Sequence, residues 1–123
     1  MKIILKITII LLYLYSCDQP VEIVRHPPVI HAINLSRTII YPKESIDIEA
    51  DVTDEDQADK LSYLWQATSG HFVNQHSNPT QWYAPDQPDS CMISLTVNDG
   101  YFEVSKSTII VVVRRNDSQR SKL

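Results

Sequence analysis

Between Ser45 and Val52 the residue types alternate without a break: Ile46, Ile48, Ala50 and Val52 on one side, Ser45, Asp47, Glu49 and Asp51 on the other. An extended chain points successive side chains to opposite faces, so this stretch is a strand with one buried and one wetted face. The pattern returns in Cys91, Ile93, Leu95 and Val97 against Met92, Ser94, Thr96 and Asn98. It returns again in Thr108 to Val113, where apolar residues occupy both sides and predict a more buried strand. Weaker strands fit Val29 to Leu35, Thr38 to Tyr41, Leu61 to Ala67 and Thr80 to Tyr83. About seven short segments, punctuated by Pro42, Pro79, Pro85 and Asn98-Asp99-Gly100, predict an all-β sandwich of two sheets over residues 29–113. Leu61, Tyr63, Trp65 and Ala67 share one strand face, which places Trp65 between the sheets as the core aromatic.

The first sixteen residues follow a different rule. Lys2 opens an apolar run that carries Ile3 to Leu5 and Ile7 to Tyr15 and ends in Leu14-Tyr15-Ser16-Cys17. The run is shorter than the roughly 20 residues that cross a bilayer as a helix, and Asp18-Gln19-Pro20 follows at once, so it reads as a secretory signal peptide, residues 1–16. Its ending resembles the lipobox of bacterial lipoproteins. That resemblance implies that Cys17 is acylated and becomes the first residue of the mature chain, anchored in the outer membrane on its periplasmic or cell-surface face. Residues 17–28 then form the lipidated start and a Pro-rich tether, and residues 114–123, with four bases against one acid, a disordered basic tail.

If Cys17 is acylated, Cys91 has no disulfide partner, and its strand setting predicts a small buried core residue rather than a reactive thiol. Removing residues 1–16 takes Lys2 and Lys6 from the eleven bases and none of the fifteen acids. The remaining chain is acidic, which argues against nucleic acid as a partner. About 107 residues suffice for one domain with one core.

Across residues 27–113 the chain resembles the Ig-like PKD domain family. Pro27-Pro28-Val29-Ile30, Asp54-x-Asp56, Leu61-Ser62-Tyr63-Leu64-Trp65 and Gly70 stand in that family's order, followed by Trp82-Tyr83-Ala84-Pro85 and Asn98-Asp99-Gly100. The resemblance implies an Ig-like sandwich. Two departures are evident. Cys91 stands where the family usually has a tyrosine whose hydroxyl ties down a loop, so that corner bond is expected to be absent. The run Asp54-Glu55-Asp56-Gln57-Ala58-Asp59 is longer than the family's acidic turn and lacks its glycine.

Candidate chemistry is sparse. Asp54, Asp56, Asp59 and Asp99 with backbone carbonyls are the one set that could supply oxygens to Ca²⁺; the alternative is a solvated acidic loop, with no cofactor at all. His26, His31, His71 and His76 have no zinc spacing, no nucleophile elbow accompanies the Ser, His and Asp residues, and two glycines exclude a phosphate-cradling loop. Tyr83, Tyr101 and Phe102 are the candidate exposed aromatics, suited to contact with protein or sugar. These features point to a non-catalytic envelope lipoprotein that docks as an accessory subunit on a larger outer-membrane protein. The alternative is a surface lipoprotein that binds polysaccharide through those aromatics.

Overall fold

The computed structural model describes residues 19–56 and 60–116. Residues 1–18, where the signal peptide and the acylated Cys17 are expected, residues 57–59 with Asp59, and residues 117–123 of the expected tail lie outside the described residues. Eight strands follow one another: β1 Val29–Leu35, β2 Ile39–Ile40, β3 Ser45–Thr53, β4 Ser62–Ala67, β5 His71–Phe72, β6 Thr80–Tyr83, β7 Asp89–Asn98 and β8 Glu103–Val112. They form two four-stranded sheets, ordered β1-β3-β6-β5 and β2-β8-β7-β4. This is the Ig-like arrangement, with the short β2 added in parallel to β8 at the edge of the second sheet.

The alternation read in the sequence decides what lies between the sheets. Ile46, Ile48 and Ala50 of β3 face Cys91, Ile93, Leu95 and Val97 of β7, and Ile110 and Val112 of β8 close the same core. Trp65 and Trp82 are fully buried. Each indole N–H finds a carbonyl, Trp65 Nε1 donating to Ser77 at 2.9 Å and Trp82 Nε1 to Ser69 at 3.2 Å, so neither ring is buried with an orphaned donor. Trp65 also packs against Phe72, with ring centroids 6.2 Å apart.

Three features depart from the sequence reading. β5 is an additional strand of two residues, too short to carry a period. β8 begins at Glu103, five residues before the apolar run, because Glu103 to Ser107 pair with Asn98 to Ser94 despite their polarity. β8 is also buried on one face only, since Ile109 and Val111 remain 59% and 39% exposed.

Candidate functional site

Strand register fixes two ends to the sandwich. Val29 pairs with Thr53 and Ser62 with Asn98, so the entering chain, the β3–β4 loop and the β7–β8 turn share one end. Ser45 pairs with Tyr83 and Asp89 with Val112, so Tyr83 and the departing C-terminal segment share the other.

The first end is built from short-range hydrogen bonds. Asp99, 4% exposed, accepts the N–H groups of Tyr101 and Phe102 on Oδ1, at 2.7 and 2.6 Å, while Asn98 Oδ1 accepts from Gly100 at 2.6 Å. Gly100 takes φ of 95°, a conformation that glycine adopts without cost. The turn thereby holds Tyr101 and Phe102 outward, 57% and 41% exposed. Across from it Asp54 Oδ1 accepts the N–H of Asp56 at 2.8 Å, which curls the start of the acidic loop.

The entering chain is fastened to both loops. The Arg25 guanidinium lies 3.5 Å from the centre of the Tyr101 ring. The His26 N–H donates to Asp56 Oδ2 at 2.7 Å, and Pro28 is buried. The His26 N–H holds the Asp56 carboxyl below its ordinary value of 3.8; partial burial opposes this, and the His26 ring and Arg25 reinforce it. Residues 25–28, read in the sequence as tether, are therefore part of the folded body. Val21, Ile23 and Val24 ahead of them are exposed.

The three described candidate metal ligands are engaged by backbone N–H groups. Asp54 and Asp56 lie in the β3–β4 loop, Asp99 in the β7–β8 turn, and Asp59 outside the described residues. Asp54 Oδ2 and Asp99 Oδ2 are buried without a hydrogen-bond partner. Among the described residues no group of three or more His, Cys, Asp or Glu side chains is arranged to hold a metal ion.

The three candidate aromatics do not converge. Tyr83 lies at the opposite end from Tyr101 and Phe102, on the outer face of the β1-β3-β6-β5 sheet, stacked on His71 at 5.2 Å. They form no continuous platform. Cys91 is buried and free. Its sulfur lies 2.9 Å from Ser69 Oγ, and that hydroxyl donates to Asp89 at 3.1 Å. A thiol and a serine thus link β7 to the segment after β4; the sequence offered no signal for this pairing. The Arg115 guanidinium sits 4.6 Å from the Tyr41 ring and 3.8 Å from Glu44, so the basic tail begins as a packed segment.

One outer face was not singled out by sequence. On the β2-β8-β7-β4 sheet, Ile39 pairs with Val111 and Met92 with Ile109, and all four are exposed. The outer face of β3 presents Asp47, Glu49 and Asp51 instead, all exposed.

No family model and no curated protein matches the chain. Among solved structures it is similar to the D00-D0 domain of intimin, with a TM-score of 0.54 and 14% identity over 77% of this chain and 52% of that one. A nucleoside hydrolase-related hypothetical protein from Saccharophagus degradans, associated with carbohydrate metabolism, aligns with a TM-score of 0.47 and 16% identity over 72% of this chain and 26% of that one. The chain spans about half the length of the first structure and a quarter of the second. The first likeness, at this identity, establishes the fold alone: an Ig-like β-sandwich.

Proposed function

We propose that this protein is a non-catalytic, PKD-type interaction module of a bacterial envelope, anchored in the outer membrane by acyl groups on Cys17 and docked on a larger outer-membrane protein. The observation that carries the reading is the fastening of Arg25 and His26 to Tyr101 and Asp56. Only residues 18–24 separate Cys17 from the fastened chain, a reach of about 22 Å if fully extended. The loop end is therefore held beside the membrane surface, with Tyr101 and Phe102 exposed where a membrane-embedded partner would stand. Buried aromatics at the centre of an interface contribute about 2 kcal/mol or more, whereas exposed charges in a tail contribute under about 1 kcal/mol.

Fractionation of Cys17→Ser tests the anchor: the variant leaves the membrane fraction or accumulates as precursor, and unchanged processing and attachment refute it. Mild-detergent purification of the tagged chain, with mass spectrometry of what accompanies it, tests the docking. Tyr101→Ala combined with Phe102→Ala weakens recovery of the partner, while truncation after Val113 leaves it largely intact. The polysaccharide reading is disfavoured by the placement of Tyr83 and Tyr101 at opposite ends, which leaves no row of rings for a chain of sugars to stack on.

A further inference from the structure

We infer that the outer face of the β2-β8-β7-β4 sheet is the interface of a symmetric dimer, two copies of this chain packed sheet against sheet. Half of the face is apolar: Ile39 and Val111 side by side, then Met92 and Ile109, exposed by 61%, 39%, 46% and 59%. The other half is hydroxylic, and its hydroxyls are already paired, Ser94 with Ser107 and Thr96 with Ser105, each at 2.9 Å. Covering a hydroxyl that keeps its hydrogen bond avoids the penalty of stripping one from water. Leu64, Gln66 and Thr68 extend the face along β4, and the Thr68 hydroxyl accepts the Met92 N–H at 3.0 Å. Glu103, at the rim beside the β7–β8 turn, is the one charged outward position on these strands, in a chain whose residues are 21% charged.

The occupant follows from charge, area and direction. A face charged only at its rim, by Glu103, has no means of selecting an oppositely charged surface, but its uncharged centre matches a copy of itself. Two ten-residue strands, one of six and one of two span about 450 Å² per copy in flat projection, more once side chains add relief. The pair thus stands near the lower limit for a specific interface, which suits a dimer that forms when its members are concentrated on one surface. This step rests on the Cys17 anchor proposed above. Two copies tethered to the same membrane point their loop ends the same way, which runs the twofold axis along the strands and sets apolar half on apolar half.

Full-length chains carrying Ile109→Cys or Ser105→Cys, treated in envelopes with a short bismaleimide, test this; Cys91 is buried and does not compete. Each variant links to itself, and Asp47→Cys on the opposite sheet does not. Adding Ile109→Arg to Ser105→Cys lowers the linked dimer about tenfold, with the melting temperature nearly unchanged because Ile109 faces outward. Absence of the self-link at either position, or linkage to a different protein in its place, overturns the dimer. The fractionation of Cys17→Ser reports separately on the anchor: full-length chains that still self-link in detergent while Cys17→Ser stays membrane-bound would sink only the anchor.

Discussion

The His26 N–H and the Asp56 carboxylate, thirty residues apart in sequence, meet at 2.7 Å and join the entering chain to the loop between β3 and β4. One bond couples the approach to the domain with the fold of its most acidic segment.

That bond has a pH signature. The folded Asp56 value lies below its ordinary 3.8, so the stabilisation is present above that value and is lost as pH falls through the folded value. An NMR titration should place the Asp56 midpoint below 3.8, and Asp56→Asn should flatten the acid limb of melting temperature against pH. A midpoint at or above the ordinary value refutes this.

Trp65 is fully buried and bonded to Ser77. Trp65→Ala should cost about 3 to 5 kcal/mol by leaving a cavity and an unmatched carbonyl, enough to unfold a domain this small. Trp65→Phe keeps most of the volume and should cost less. Equal denaturant midpoints for Trp65→Ala and the parent chain would contradict the burial.

Asn78 continues a sheet with its side chain. Where β6 stops pairing with β3, the Asn78 amide donates to Ala50 O at 2.9 Å and accepts from Ala50 N at 2.8 Å. Asn78→Ala abandons both groups and should cost about 1 to 3 kcal/mol. Asn78→Asp keeps the acceptor but sets a carboxylate oxygen against the Ala50 carbonyl, and at neutral pH should cost at least as much as Asn78→Ala, as read by urea unfolding.

The two glycines should respond differently to alanine, although both have positive φ. A Cβ at Gly70 would collide with the Tyr83 carbonyl oxygen and the Trp82 indole, whereas a Cβ at Gly100 meets nothing. Gly100→Ala should cost about 1 to 2 kcal/mol from backbone strain alone. Gly70→Ala should cost distinctly more and disturb Trp82 fluorescence, and equal melting points would reject the collision.

The layers of this fold were legible because alternation is local. Ile46, Ile48 and Ala50 announce a buried face whatever lies opposite, and the same holds for Cys91 to Val97. β5 was illegible since His71 and Phe72 form a strand only by lying against Tyr83 and Trp82. The outer face of β8 was misread for a related reason. Ile109 and Val111 carry no mark of which neighbour covers them, and hydrophobicity on both sides of a strand reads equally as a core or as an uncovered face. The candidate aromatics were legible singly but not as a group: Tyr83 is exposed because Trp82 beside it is buried, and Tyr101 is exposed at its turn, but strand order sends them to opposite ends.

The fastened N-terminus also governs how the domain carries load. Tension on the chain ahead of Arg25 reaches the Tyr101 and Asp56 contacts first and then the seven-residue β1, which enters the sheet with Val29 beside Thr53. The pull then runs along β1 while its ladder bonds to β3 lie across it. Such a joint is loaded in shear, with its bonds sharing the force and none peeled open alone, and the strand that receives the chain is the one best placed to resist being drawn out.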